Sequence, residues 1–305
     1  MRSLCIALLG LLLVAAPGCS IRKFAINKLG DALSKTGTTF ASDDDPDLIK
    51  DAVPFSLKLI ESLLAETPNH AGLLLAAASG FTQYAYAFVQ QDADETEARD
   101  LAEATALRGR ARRLYLRARN YGLRALDTAH PAFTSALRAN PKQAIKLARK
   151  ADVPALYWTA ASWAAAIALS KDNPELVADL PLVEALIDRA LELDESFGEG
   201  SIHSFLIAYE MSRQGRVGDP AARSRQHFER AWALSRGQQA APLVALAEAV
   251  TVQKQDVKEF ESLLNRALAI NADAHPDSRL INLVMQRRAR WLLSRKEDLF
   301  LLPAP

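Results

Sequence analysis

The chain has only two cysteines, Cys5 and Cys19, among its 305 residues. If an N-terminal signal that contains Cys5 is removed, one cysteine remains and no intrachain disulfide can form. The net charge is also close to zero, at +1, with 37 basic and 36 acidic side chains. Proteins that bind nucleic acid through phosphate contacts carry a clear basic excess, so this balance argues against nucleic-acid binding. We expect partners to be recognised through shape and apolar surface.

Recognised catalytic motifs are absent as well. The sequence contains no HExxH, no GxSxG, no glycine-rich phosphate loop and no CxxC. Of the five histidines, only His203 has a potential metal-binding partner at helical spacing. Glu199 lies four positions before it and would share one face of a helix with it. No third ligand lies at a matching spacing, so we interpret this pair as a hydrogen-bonded histidine near a helix start. We expect no enzymatic activity, no metal and no cofactor.

The first residues of the chain predict export and lipid attachment. One basic residue is followed by an apolar run over residues 4–16, and small residues then lead to Cys19. This pattern resembles a bacterial lipoprotein signal, in which residues 1–18 are removed and the thiol of Cys19 is acylated. An ordinary secretory signal or a membrane anchor is the alternative. Because Ser20 favours sorting to the outer membrane, we expect a periplasmic protein that touches that membrane only through its lipid.

Residues 19–46 are expected to form a lipidated tether. Small and polar residues at 37–39 and the acidic run at 43–45 predict an interruption of any helix there. We interpret the acidic run as a linker that ends as the N-cap of the next helix. A calcium loop is the alternative, but such loops need alternating ligands, a glycine and a distal glutamate.

From residue 47 to the end, apolar residues recur at helical spacing and strand-like alternation is absent. The sequence therefore predicts an all-α fold of about ten to twelve helices in a single domain over residues 47–305. The expected helices lie at roughly 47–66, 69–90, 94–128, 131–139, 141–150, 153–171, 175–195, 199–214, 220–236, 240–254, 256–271 and 276–297.

A repeated layout within these helices predicts how they stack. Segments that begin at Ile187, Phe228 and Leu264 each place a small residue three positions later and a large apolar residue four positions later. The small residue lets one helix cross close to the next. The intervals are near the length of a tetratricopeptide helix pair, so we predict tetratricopeptide-like stacked hairpins that form an α/α superhelix. Ordinary amphipathic hairpins are the alternative.

Residues 152–170 form the segment around which we expect the chain to pack. Its side chains are apolar on every side, and such a helix has to be surrounded by others. Asp152 is the expected N-cap, and Pro154 lies in the first turn. With about 15 apolar positions the segment falls short of the roughly 20 that a bilayer requires, which favours a buried central helix.

Large aromatic side chains crowd three of the predicted helices. Core packing is the default interpretation, but tyrosine and tryptophan carry polar tips that need partners when buried. Several of them meeting between helices would line an apolar cavity with a few hydrogen-bonding groups. We expect at least one of the three large rings in residues 152–170 to border such a cavity. The candidate lining residues are Tyr84, Tyr86, Tyr157, Trp158, Trp163, His203 and Tyr209.

An arginine-rich stretch over residues 108–124 is the strongest nucleic-acid candidate in the chain. Its arginines lie on two flanks of the expected helix, and apolar residues run between them as a buried face does. Acidic residues precede the arginines, as the helix dipole favours. We interpret the stretch as a solvated helix, with phosphate or an acidic partner as the alternative.

Several segments together resemble a known family. They are the aromatic pattern Tyr157, Trp158 and Trp163, the turn from Ala190 to Asp194 that runs into Gly198, Glu199 and Gly200, the helix from His203 to Met211, and the ending from Arg290 to Phe300. In these segments the chain resembles the TatT family, the T components of tetratricopeptide-associated TRAP transporters. The resemblance extends from about residue 47 to the end.

The resemblance implies a non-enzymatic periplasmic lipoprotein that assembles as a homo-oligomer, with a trimer expected. It also implies contact with the extracytoplasmic substrate-binding protein of the transporter, and a cavity or pore that passes a largely apolar organic acid. The rival hypothesis is a tetratricopeptide scaffold lipoprotein for envelope assembly, with no small-molecule site. A filled core between the aromatic helices favours the scaffold, and an open cavity of ligand size favours transport.

Overall fold

The computed structural model describes residues 28–32, 37–215 and 217–301. All regular secondary structure in these residues is helical, and they contain no strand. The predicted signal peptide and Cys19 lie outside the described residues. The all-α prediction is confirmed.

The longer helices are numbered here in chain order. They are α1 Pro46–Glu66, α2 Ala71–Thr96, α3 Leu101–Ala129, α4 Phe133–Ala139, α5 Val153–Ala168, α6 Leu180–Leu193, α7 Ser201–Tyr209, α8 Pro220–Leu234, α9 at 241–254, α10 Val257–Leu268 and α11 Arg279–Ser294. Shorter helices are Gly37–Ala41, Pro141–Ala144, Pro174–Val177 and Lys296–Leu299. Short 3₁₀ turns are Ile145–Leu147, Lys150–Asp152, Phe197–Glu199, Ala272–Ala274 and Pro276–Ser278.

Two of the long helices contain a π-helical segment. In α2 this segment is Ala85–Gln90, and in α9 it is Ala247–Thr251, between Ala241–Leu246 and Val252–Lys254. The expected break between residues 90 and 94 is therefore wrong, because α2 continues through its π segment to Thr96. The chain turns only before α3, where the Asp100 carboxylate accepts the backbone N–H of Glu103 at 2.9 Å.

The start of α1 follows the prediction. The Asp45 carboxylate accepts the backbone N–H groups of Asp47 at 3.1 Å and Leu48 at 3.0 Å, so the acidic run ends as an N-cap. The predicted interruption at 37–39 is wrong, because Gly37–Ala41 is helical. Contact with α11 and packing of Phe40 on the core hold this short helix, and neither is visible in the local sequence.

Helix α5 lies among other helices, as its composition predicts, although about half of its positions stay partly exposed. It packs against α2, α3 and α6, and both Trp163 and Leu156 are fully buried. Asp152 occupies the N-cap position without capping α5. Its carboxylate instead accepts the backbone N–H of Arg149 at 2.8 Å and lies 2.8 Å from His130 Nε2. This side chain therefore ties the end of α3 to the turn before α5.

The small residues of the repeated layout lie at close helix contacts. Ala190, Ala231 and Ala267 are each fully buried. A Cβ on Gly200, before α7, would lie 3.1 Å from the Cα of Ala231 in α8, so the two backbones nearly touch. This is the close crossing that a small residue permits. The superhelical tetratricopeptide arrangement itself stays a prediction.

Buried apolar residues form three clusters. The first core cluster joins α1, α2 and α3, the second joins α5, α6, α7 and the residues around α4, and the third joins α8 to α11. Among the described residues, α2 is long and apolar enough to cross a membrane, but 61% of its most apolar window is buried in the protein. Core packing explains that composition equally well.

The C-terminal helix returns to the beginning of the domain. α11 contacts α1 and Gly37–Ala41, and the Arg279 guanidinium donates to the backbone carbonyl of Ser42 at 2.9 Å. Arg287 of α11 donates to Asp92 at 2.7 Å and to Glu95 at 2.6 Å, both near the end of α2. The last long helix is thus fastened to the first hairpin.

Arg288 makes the most buried of these links. Its guanidinium, only 10% exposed, donates to Asp94 of α2 at 2.8 Å and to Glu248 in the π segment of α9. The facing carboxylates hold the pKa of Arg288 above its usual value against the opposing effect of burial. The one side chain therefore joins α2, α9 and α11.

The crossing of α3 and α5 can be tested by adding one methyl group. A Cβ on Gly122 would lie 2.1 Å from Thr159 Oγ1 and 3.3 Å from the Thr159 Cα, so Gly122→Ala overpacks the contact. We expect it to lower the free energy of unfolding by about 2 kcal/mol in urea titrations. Gly109→Ala is the matched control on the same helix, because its nearest neighbour would be Arg113 at 3.7 Å. The control should be neutral or stabilising by up to about 1 kcal/mol; equal effects at both sites would contradict the close crossing.

The link between α2, α9 and α11 gives a second prediction. Arg288→Met keeps an unbranched, mostly apolar side chain but removes the cation from Glu248 and leaves Asp94 with Arg108 alone. We expect a loss of about 2 kcal/mol of unfolding free energy, less than for a fully buried pair because Glu248 is partly exposed. Arg290→Met on the exposed side of α11 should change stability by less than about 0.5 kcal/mol. A loss at Arg288 no larger than at Arg290 would show that these ion pairs do not stabilise the fold.

Candidate functional site

The seven candidate lining residues lie on three helices and in different parts of the core. Tyr84 belongs to the first core cluster, whereas Trp163 and Tyr209 belong to the second. Tyr157 packs against the second cluster, and Tyr86 contacts both the first and the third. Trp163 and Tyr209 therefore share one cluster, and Tyr157 packs against it with Trp158 beside it.

Tyr84 and Tyr86 point to different surroundings although they are two residues apart. The Tyr84 ring packs 5.8 Å from that of Phe88, and its hydroxyl accepts a hydrogen bond from Arg110 at 3.4 Å. The Tyr86 hydroxyl faces the sulfur of Met285 on α11 at 3.7 Å. Burial and the Glu248 carboxylate raise the pKa of Tyr86 to about 12, so this hydroxyl stays protonated.

An aromatic group stands where α5 meets the turn before α7. The ring of Tyr157 lies 4.9 Å from that of Trp158 in an edge-to-face arrangement, and 5.3 Å from Phe197. Burial raises the pKa of Tyr157 far above its usual value. The three rings form an apolar wall that carries one phenolic hydroxyl, the composition expected where a partly apolar ligand binds.

Trp163 lies one and a half turns further along α5 and is enclosed completely. The guanidinium groups of Arg119 and Arg138 stand 5.0 and 5.7 Å from its ring, so cations cover the indole. Burial lowers the pKa of Arg119. The indole Nε1 is buried and has no acceptor among the described residues. A buried donor without a partner costs about 1–3 kcal/mol unless a bound group supplies an acceptor.

Tyr209 at the end of α7 is a second buried donor without an acceptor. Its ring stacks on Phe205 at 5.3 Å, and its buried hydroxyl has no hydrogen-bond partner in the described part of the chain. Burial raises the pKa of this hydroxyl far above its usual value, so it remains a neutral donor. Two core positions in the second cluster therefore present hydrogen-bonding groups that the described protein leaves unsatisfied.

His203 is the first member of a chain of polar contacts between α7 and α8. Its Nδ1 lies 2.8 Å from Nδ1 of His227, and its Nε2 lies 3.3 Å from Glu195. Glu195 also receives Arg230 at 2.5 and 2.9 Å, and this arginine lowers the Glu195 pKa to about 2. Two imidazole nitrogens this close share one proton, so both rings cannot be charged together.

The sequence predicted the wrong acid for His203. Glu199 has a left-handed φ of 54° between two left-handed glycines, so it does not continue the helix of His203. Its carboxylate accepts from Gln239 at 2.9 Å instead. The flanking glycines were the available signal for a turn here, whereas nothing local indicated His227, which comes from the next helix. Among the described residues, no three His, Cys, Asp or Glu side chains form a group that would hold a metal ion.

Several arginines of the 108–124 stretch are engaged within the protein. Arg108 pairs with Glu97 at 2.8 Å and Asp94 at 3.2 Å. Arg117 lies 3.6 Å from Glu61, and Arg124 donates to the carbonyl of Pro68 at 2.7 Å. These contacts agree with a partly solvated structural helix rather than a free basic surface.

Comparison with known proteins gives the family. A family model described as TRAP transporter T-component matches residues 42–300. The chain belongs to this family. It is also 30% identical to an uncharacterized protein of Treponema pallidum (strain Nichols) over 323 aligned positions, which cover 98% of each chain.

Family membership assigns the protein to TRAP-type transport, which is a transport function rather than a catalytic one. It also agrees with a location in the cell envelope and with association with a transporter system. The resemblance to the TatT family, drawn from scattered aromatic and turn residues, is confirmed over nearly the whole predicted domain.

The paired histidines predict a pH-dependent stability. Burial lowers the pKa of His203, and burial together with His203 lowers that of His227 to about 4, against 6.5 in the unfolded chain. Below pH 6.5 the unfolded chain therefore binds more protons, so stability is complete above pH 6.5 and falls as the pH decreases toward 4. Between pH 7 and pH 5, wild type should lose about 1 kcal/mol more than His227→Gln, with allowance for solvent screening. Urea unfolding at each pH measures this, and parallel curves for the two proteins would contradict it.

Proposed function

We propose that the protein is the non-enzymatic, periplasmic lipoprotein component of a TRAP-type transport system. Anchored to the outer membrane through lipid on Cys19, it docks the extracytoplasmic substrate-binding protein and assembles with copies of itself, as a trimer. It binds or relays a small, largely apolar organic acid in an internal cavity between α5 and α7. Its T-component family membership and its paired internal arginines support a partner other than nucleic acid.

The observation that carries the ligand part of the proposal is the pair of unsatisfied groups in the second core cluster. Trp163 Nε1 and the Tyr209 hydroxyl are both buried without a partner among the described residues. An acid with an apolar body suits either group, because a carboxylate oxygen can accept from an indole N–H or from a hydroxyl. The wall of Tyr157, Trp158 and Phe197 provides apolar contact nearby.

The rival function, a scaffold for envelope assembly, requires an interior with no ligand. Trp163 Nε1 and the Tyr209 hydroxyl then stay among the buried polar atoms that no partner satisfies, at about 1–3 kcal/mol for each. The proposed transport role gives those groups an acceptor. For this reason we favour the transport component over the scaffold.

Docking can be tested with the full-length chain in detergent and a purified TRAP-type substrate-binding protein from the same organism. Native mass spectrometry at micromolar concentration should detect a complex of the two proteins, and homo-oligomers of the chain alone. Two separate monomeric species would count against both parts of the proposal. A complex without any effect of organic acids on it would favour the scaffold.

The ligand part gives a sharper prediction, with hexanoate and related short fatty acids as probes. Tyr209→Phe removes an unsatisfied buried hydroxyl, so we expect the free energy of unfolding without ligand to rise by about 1 kcal/mol or more, but binding in calorimetric titration to weaken at least about tenfold. Tyr115→Phe is the matched control, because its hydroxyl already donates to Gln90 at 2.7 Å. That control should lose about 1 kcal/mol of stability and keep its affinity. Equal affinity of Tyr209→Phe and wild type would contradict the assignment.

A further inference from the structure

A surface pocket far along the chain from the predicted cavity carries an independent inference. It has a volume of about 360 Å³ and lies between the end of α8, the end of α10 and the turns before α11. This volume falls within the range of small-molecule sites, roughly 300–1,000 Å³. None of the seven aromatic candidates lines it.

Trp232 provides a fixed apolar wall for this pocket. Its ring stacks on Phe228 with centroids 6.2 Å apart and planes at 18°, so it cannot turn freely. Gly237 lies against the indole, where a Cβ would be 2.9 Å from the ring, and its φ of 72° favours glycine as well. The chain therefore leaves the half-buried indole bordering the pocket rather than covering it. Ile270 adds a second apolar surface.

The polar side chains of the described residues that line the pocket can donate hydrogen bonds, and none of them is acidic. The Arg266 guanidinium stands 5.2 Å from the Trp232 ring, and Gln238 and His275 also line the pocket. Asn271 lines it as well, but its side-chain oxygen already accepts the backbone N–H of Asp273 at 3.0 Å. Within the described residues, the side chains of Arg266, Gln238 and His275 form no hydrogen bond or ion pair with the protein. No acidic side chain of the described chain lines the pocket. An unpaired guanidinium on an aromatic face is a ready site for a carboxylate.

The carbonyl groups at the end of α10 would oppose an anion, but they are already occupied. Gln286 of α11 donates from its side-chain nitrogen to the carbonyl of Ala267 at 3.2 Å and to that of Ile270 at 2.8 Å. The nearby carboxylate of Asp273 pairs with Arg279 at 3.1 Å. The negative groups around the pocket are thus engaged elsewhere, and the field that remains at Arg266 favours an anion.

We propose that this pocket binds a small carboxylate with an apolar or aromatic body. The carboxylate oxygens accept from the Arg266 fork and from Gln238 and His275, and the body of the ligand lies on Trp232 and against Ile270. The site is separate from the internal cavity of the proposed function and does not depend on it. It gives the protein a second, surface position for organic acids.

The experiment uses the full-length chain labelled with 5-fluorotryptophan, whose four tryptophans give four fluorine resonances. Trp232→Phe assigns the resonance of the pocket, and titration with phenylacetate follows it. We expect a saturable shift of the Trp232 resonance, weakened at least tenfold in Arg266→Gln. Arg266→Lys keeps the charge without the planar fork and should bind with intermediate affinity. Inorganic phosphate, which has no apolar body, should bind at least tenfold more weakly than phenylacetate.

Arg290→Gln on the exposed side of α11 is the matched control and should leave the titration unchanged. A Trp232 resonance that does not saturate, or equal affinity in Arg266→Gln and wild type, would overturn the proposal. Phosphate as tight as phenylacetate would overturn the apolar part of it. Tyr209→Phe separates the two sites, because it should weaken internal binding while leaving the Trp232 titration intact; failure of one site leaves the other measurable.

Discussion

The fold depends first on the burial of α5, a helix without a polar face. Water solvates the apolar sides of Val153–Ala168 poorly, so other helices have to pack on it, and α2, α3 and α6 do so, burying Leu156 and Trp163 completely. Coverage on that scale requires close backbone approach, which explains why Gly122 stands opposite Thr159. The order of the chain follows from this requirement, because the hairpins before α5 and the helices after it occupy different sides. Alanines of α5 then pack on the first core cluster, whereas Trp163 and Tyr157 face the second.

A second constraint is the set of ion pairs that joins the last long helix to the first hairpin. An array of hairpins that stacked in one direction only would leave its first and last helices far apart, yet α11 contacts α1 and pairs with the end of α2. The ion pairs responsible are partly or largely buried, so they are less screened than surface pairs and specify which helices meet. The π segments of α2 and α9 adjoin this junction, and Tyr86 and Glu248 come from them. Such segments shift the register of a helix and re-aim its side chains.

The sequence predicted what is encoded locally. Helix positions, the Asp45 cap, the buried alanines of the repeated layout and the enclosed character of α5 all follow from spacing and residue type within about twenty positions. It did not predict the partners of His203, the π continuation of α2 or the Arg288 junction. Each of these depends on residues that are distant in the sequence, or on a backbone angle such as that of Glu199, which residue type alone does not determine. For the same reason the aromatic residues could be named as candidates but not divided into those with and without polar partners.

The difference between buried aromatic residues with and without hydrogen-bond partners bears most directly on function. A core chosen only for stability pairs or removes its polar atoms, and most of this interior does so: Tyr115 donates to Gln90, and Tyr121 donates to Glu61. By contrast, the buried polar atoms of Trp163 and Tyr209 have no partner among the described residues, and both residues belong to the second core cluster, against which Tyr157 and Phe197 pack. Unsatisfied polar groups give a scaffold no advantage. A protein that binds an acid transiently needs only a few binding groups in partly apolar surroundings, so that the acid is released again. A relay requires weak contacts that a ligand can satisfy, and a buried indole N–H and a buried phenol hydroxyl without partners in the described part of the protein are suited to that requirement.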